Sequence, residues 1–259
     1  PRVELKGLPI GNPNHEWIEA QQLAAQAGTY GADLPHSEER LQTLVDQAPG
    51  NVGLRLAQAD LYLARQWPRR AEIQIKETES MVPRGMGLEV AQARTAMTLQ
   101  EWRQMDALTD DVVARFPDNR QVQRAARERE VHDMSELRVE AYGGKANGGG
   151  SGDAGAVSGS RDFGIQTTLY SPPIDEDWRV FAGAGYATGD FAEGTGNHRF
   201  QRVGLERRTR DMTLEAEVSN HDYGYGDKQG ARLAIARDIN DHWQYGGSLE
   251  YLSAETPLR

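Results

Sequence analysis

Residues 51–83 read NVGLRLAQADLYLARQWPRRAEIQIKETESMVP, and this stretch decides the first half of the fold. Its apolar positions recur with the three-to-four-residue step of a helix, broken once at Trp67-Pro68. Proline is favoured in the first turn of a helix, so the break reads as a turn between two helices. Pro49, Pro83 and Pro117 each close such a stretch, and they stand 34 residues apart. A 34-residue period is that of the tetratricopeptide repeat, a helix–turn–helix unit that stacks into a solenoid. Within the unit, Ala59 and Ala71 hold the small positions where the two helices approach, and Tyr62 fills the gap between them. In the next unit Ala93 keeps the small position, while Met105 replaces the second alanine. The unit over 16–49 departs from the pattern, because its turn GTYGADLPHS (residues 28–37) reads as longer than the others.

Beyond Pro117 the segment DNRQVQRAARERE (118–130) favours a charged helix, capped by Asp118 or Asn119. Solenoids end in a repeat with a polar outer side, so this segment is expected to cap the stack. Residues 1–134 are thus expected to form a solenoid with its capping helix.

From Ser135 the apolar period falls to two, and seven strands are expected: 136–142, 162–171, 177–188, 199–208, 212–220, 229–238 and 242–252. Phe163, Ile165 and Leu169 alternate with Gln166 and Thr168; Leu214, Ala216 and Val218 alternate with Glu215, Glu217 and Ser219. The connections read as long and short in turn: GGKANGGGSGDAGAVSGSR, GDFAEGTGNH and HDYGYGDK against SPPIDE, TRD and IND. Tyr170, Trp178 and Trp243 flank the short turns, and Tyr142, Tyr186 and Tyr251 lie near the other strand ends. Loops sorted by rim and paired aromatic belts are features of an outer-membrane β-barrel. Such barrels close on an even number of strands, so 135–259 is expected to be part of one, with the C-terminal strands lying beyond this chain. The expected fold class is therefore a multi-domain α plus β protein: a tetratricopeptide solenoid followed by the first strands of an antiparallel transmembrane β-barrel. Since the first connection is a long one, strand one runs outward, which places the solenoid in the periplasm.

Composition bounds the function. The chain of 259 residues has no cysteine, which removes thiolate chemistry and disulfides, and its formal charge of −10 argues against nucleic acid as a partner. No apolar run is long enough for a membrane helix, which says nothing of a barrel. The opening PRVELKGLPIGNPNHEW has no signal-peptide core, so a processed chain or an excised piece is expected. His15, His36, His132, His198, His221 and His242 are scattered, and no nucleophile elbow, HExxH, P-loop or EF-hand is present. No catalytic residue, metal or cofactor is expected. The Gly/Asp stretch GGGSGDAG (148–155) occurs once and reads as an outer loop.

Glu206, Glu215, Glu217 and Glu250, with Arg202, Arg208 and Arg232, fall opposite the apolar positions of their strands. In a barrel that side is the lumen, where charge sets selectivity. Cross-strand pairing of these charges is the equally weighted alternative. In the helices, Asp60 and Arg94 occupy first-helix positions that normally face the concave groove of a solenoid, with solvated helix surface as the competing reading.

The stretches NVGLRLAQADLYLARQWPRRAE, LEVAQARTAMTLQEWRQMDALTDDVV, TTLYSPPIDEDWRVFAGAGYATGDFAEG, WQYGGSLEYLS and TPLR resemble the outer-membrane exporters of poly-β-1,6-N-acetyl-D-glucosamine, the PgaA/HmsH-type porins. The resemblance spans both halves of the chain. It implies a periplasmic tetratricopeptide domain and a barrel of about sixteen strands in outer-membrane lipid, in keeping with the even-number rule. It also implies secretion, in biofilm formation, of a polymer partly de-N-acetylated by a periplasmic lipoprotein deacetylase. The solenoid would bind that deacetylase, the polymer, or both. Free amines make this cargo cationic, which suits Glu206, Glu215, Glu217 and Glu250. The alternative is a peptide-binding tetratricopeptide scaffold with a soluble β-domain; a carbohydrate-active enzyme would need a carboxylate pair that the sequence does not single out.

Overall fold

The structure, a computed structural model, describes residues 15–145, 161–191, 194–224 and 226–252. Most of the first long connection, GGGSGDAG included, lies outside the described residues. Seven helices come first: α1 (His15–Tyr30), α2 (Leu34–Gln47), α3 (Val52–Ala64), α4 (Pro68–Glu79), α5 (Met86–Thr98), α6 (Trp102–Arg115) and α7 (Arg120–His132). Seven strands follow: β1 (Glu136–Lys145), β2 (Arg161–Tyr170), β3 (Trp178–Phe191), β4 (Gly194–Thr209), β5 (Met212–Asp222), β6 (Asp227–Asp238) and β7 (Gln244–Tyr251). The chain divides into two compact units, Pro1–Arg129 with Asn240–Trp243, and Glu130–Ile239 with Gln244–Arg259.

In the helical unit the 34-residue period is written into the backbone. Ala32, Gln66 and Gln100 all have φ near +60° (63, 60 and 59). The next residue in each case, Asp33, Trp67 or Glu101, donates its N–H to the carbonyl of Gly28, Tyr62 or Ala96, all at 2.8 Å. This six-to-one bond closes a helix C-terminus over a left-handed residue. The three intra-repeat turns are therefore equivalent, and the stretch 28–37 is not a long loop as its composition suggests. α1 runs through Thr29 and Tyr30, and α2 starts at Leu34 with Pro35 in its first turn. Glycine and proline there punctuate helices rather than separate them.

The N-termini repeat as well. The N–H groups of Asn51, Gly85 and Asn119 bond back to the carbonyls of Ala48, Val82 and Phe116. The Asn51 side chain caps α3 by accepting from Leu54 N, and Asn119, rather than Asp118, caps α7 by accepting from Gln121 N. Ala59, Tyr62 and Ala71 are buried together with Ile75, Leu88 and Ala91. Ala93 and Met105 are buried in the following repeat. Val122 and Ala125 of α7 close the stack against Val90 and Val112, while its other residues are largely exposed. Helices pack closely at Ala59, which is 1% exposed. Ala59→Leu should therefore destabilise the helical unit by about 1–3 kcal/mol, read as a lower urea midpoint at unchanged slope.

The strand unit is one antiparallel meander in the order β1-β2-β3-β4-β5-β6-β7. Its connections differ from those read in the sequence. β3 and β4 stay paired out to Phe191↔Gly194, so GDFAEGTGNH is mostly ladder. β5 and β6 stay paired out to Asp222↔Asp227, which shortens HDYGYGDK in the same way. SPPIDE, expected to be short, spans the gap from Tyr170 to Trp178 and contains the bridge Ile174↔Trp178. Polar, glycine-rich ends looked like loops because they alternate weakly, yet their backbone groups still pair. The 16 residues of β4 reach about 50 Å at ~3.3 Å each, well beyond an apolar band of roughly 25 Å. The extra length is strand that extends past the band.

Candidate functional site

Alternation sorts the strand side chains onto two sides. On one side lie Leu137, Val139, Phe163, Ile165, Leu169, Val203, Leu205, Val218, Leu233, Ile235 and Leu249, all exposed. So many exposed large apolar side chains on one surface mark a lipid or protein interface rather than a water-facing one. On the other side Thr168, Phe181, Phe200, Glu206, Glu217, Ser219 and His221 are buried.

All seven sequence-derived lumen residues lie on this second side, and register brings them together. Arg202 sits between Glu217, at 3.3 Å, and the Thr168 hydroxyl, to which it donates at 2.7 Å. Arg232 bonds Glu215 and reaches Glu250 at 3.3 Å. Glu206 accepts from Arg208 at 2.8 Å through one oxygen; its other oxygen is buried and has no hydrogen-bond partner among the described residues. Glu206 and Glu215 are direct cross-strand neighbours, a like-charge pairing that the two flanking arginines offset. The belt is therefore paired, four carboxylates to three guanidiniums, with one acceptor left over. Both sequence readings meet here: the charges pair across strands and the side is acid-weighted.

The aromatic belts need correction. Tyr186 and Tyr251 lie on the apolar side, as does Trp178, which carries the Arg207 guanidinium 5.2 Å from its ring centroid. Tyr170 does not: it is 6% exposed and packs on Phe181 at 5.4 Å, in the charged side. Tyr142 shares that side, opposite Gly164. Both occupy the even positions of their strands, the parity of Thr168, so counting positions would have excluded them.

Sequence reading also left His198 and His221 as isolated residues. The ladder pairs Phe200 with His221, which brings the two imidazoles to 2.9 Å through His198 Nε2 and His221 Nδ1. Ser219 Oγ is 2.8 Å from His221 Nε2.

The helical unit holds a groove of about 290 Å³ lined by Gln26, Thr29, Tyr30, Ala57, Asp60, Leu63 and Arg94. Gln26, Asp60, Arg94 and Glu128 are repeat-equivalent, each 34 residues from the next. Arg94 lies 3.6 Å from Asp60 and 3.7 Å from Glu128, so charges of alternating sign line one row. Partial desolvation in the groove pushes the Asp60 carboxyl above its ordinary value, although its side chain is still 48% exposed, and Arg94 pulls it part of the way back. Folding then favours the protonated form. The stability cost of Asp60 is present at neutral pH and disappears as pH falls through the raised value. Carboxyl NMR should show Asp60 titrating above an ordinary aspartate, and Arg94→Gln should move it further up.

An antiparallel meander that turns apolar side chains outward and paired charges inward is the wall of an outer-membrane β-barrel, with a polar lumen behind it. Residues 131–259 match the family described as the PgaA membrane beta barrel domain. Over all 259 residues it is 42% identical to the "Poly-beta-1,6-N-acetyl-D-glucosamine export protein" of Escherichia coli strain K12, and equally to that of strain O157:H7. The chain spans 31% of the length of each of these relatives. Among solved structures, a "Bacterial polysaccharide outer membrane secretin" is 38% identical, with 49% of this chain and 40% of that one covered, at a TM-score of 0.40. The "Arabidopsis OM64 TPR domain" is 13% identical, with 45% and 97% covered, at a TM-score of 0.39.

Proposed function

We propose that this chain is part of an outer-membrane secretion protein for partly de-N-acetylated poly-β-1,6-N-acetyl-D-glucosamine, acting in biofilm formation. Two features support the reading: the charged inward side of the strands, and similarity over the whole of this chain to part of relatives named as exporters of that polymer. The observation that carries it is the belt of Glu206, Glu215, Glu217 and Glu250 held in place by Arg202, Arg208 and Arg232. Cargo with scattered ammonium groups exchanges with the guanidiniums for these carboxylates. Each contact is weak because each acid already has a partner, which lets the chain bind at many points and still leave. No bond is made or broken in the cargo. The solenoid lies in the periplasm, where its groove docks the lipoprotein deacetylase or receives the polymer.

In a full-length protein, Glu215→Gln together with Glu217→Gln should lower surface polymer several-fold while the barrel keeps its heat-modifiable gel migration. Unchanged surface polymer would remove the lumen role. For the groove, immobilised residues 1–134 should capture the periplasmic deacetylase, and Asp60→Ala with Arg94→Ala should abolish capture. Equal capture by the double variant would place docking elsewhere.

A further inference from the structure

The inward side of the strands carries aromatic rings on a register row removed from the charge belt, toward the strand ends away from the Ser171, Arg210 and Ile239 turns. Pairing runs Tyr142↔Gly164, Gly164↔Ala187 and Ala187↔His198 across four strands. His198 then stacks on Tyr223, with centroids 4.5 Å apart and planes 3° from parallel. The row therefore alternates ring, small residue, small residue, ring, ring.

Two built features hold these rings. At Gly164 a Cβ would fall 2.3–2.6 Å from Cε1, Cζ and Oη of Tyr142, so the phenol lies across the glycine of the neighbouring strand. It is nonetheless 60% exposed. Tyr223 is backed by His198, which is 4% exposed, and by His221, which is fully buried and 12° from parallel with Tyr223. The His198–His221–Ser219 chain of hydrogen bonds, 2.9 and 2.8 Å, fixes that backing. Flat, pre-positioned rings lose little freedom when a ligand covers them.

We infer that Tyr142 and Tyr223 are stacking sites for hexosamine rings on the lumen wall. This rests on the export reading above and adds to it a contact that does not depend on charge. A β-linked glucosamine ring carries its substituents equatorially, so both its faces present C–H groups. Such faces lie well on an aromatic ring, and an ammonium near the ring is attracted to its π-face. The carboxylate belt can hold only the free amines; stacking holds acetylated and free units alike. The polymer thus has a grip at every residue, whatever its pattern of deacetylation.

The test uses purified full-length protein in detergent and a β-1,6-linked glucosamine hexasaccharide, half N-acetylated, with the dissociation constant measured by calorimetry. Tyr142→Ala and Tyr223→Ala should each weaken binding about fivefold, the lower end of what an aromatic stacking contact supplies. Tyr→Phe at either position should bind as the wild type does. The alanine losses should persist at high salt, whereas the loss from Glu215→Gln with Glu217→Gln should shrink because salt screens the charge attraction between cargo and carboxylates. If an alanine variant fails to assemble, Tyr→Leu keeps the bulk without the π-face and is expected to show the same loss. Unweakened alanine variants, beside a weakened glutamine variant, would overturn the stacking sites and leave the export reading standing. Phenylalanine variants as weak as the alanine ones would also overturn them, since the hydroxyl would be the contact. A wild type that binds no hexasaccharide would overturn both.

Discussion

Antiparallel pairing at fixed register is the constraint on which the strand unit depends. A strand alternates its side chains with a period of two, so a slip of β5 by one residue against β4 would send Glu217 to the apolar side and Val218 inward. In hydrocarbon both exchanges are costly: a charge would be stripped of water and an apolar side chain would face the lumen. Register is thus held by the environment on both sides at once. The inward salt bridges follow from it, because Arg232 can reach both Glu215 and Glu250 only when β6 pairs in register with β5 and β7.

The helical unit obeys a different constraint, a repeated backbone turn. Ala32, Gln66 and Gln100 adopt the left-handed conformation without being glycine. Such positions have a conformational cost in non-glycine residues, and the six-to-one hydrogen bond each turn makes offsets it. Equal turns give equal stacking, so equivalent positions from successive repeats fall in one row. The groove row of Gln26, Asp60, Arg94 and Glu128 is the result.

Much of this could be read from residue order. The 34-residue spacing of Pro49, Pro83 and Pro117 located the repeats, and Ala59, Tyr62 and Ala71 located their core. Alternation around Leu214–Ser219 located a wall with two unlike sides, and hence the sides of Glu215 and Glu217. What was hidden had physical reasons. GDFAEGTGNH alternates too weakly to declare itself a strand, because beyond the apolar band neither side of a strand need be apolar. Tyr170 looked like a belt residue by its place near a turn, while its parity puts it inward against Phe181. His198 and His221 are 23 positions apart, and only the β4–β5 register brings their rings together.

The alternating row in the groove gives the solenoid a phase. A charged group seated beside Asp60 that slides one repeat along meets Arg94, and after a second repeat meets Glu128. Each single step reverses the sign of its neighbour, and like-charge juxtaposition penalises the displaced position. An uncharged row would let an extended ligand creep along the stack by one repeat at little penalty. Here the sign recurs only every second repeat, so a charged chain laid in the groove would be indexed to it rather than merely attracted.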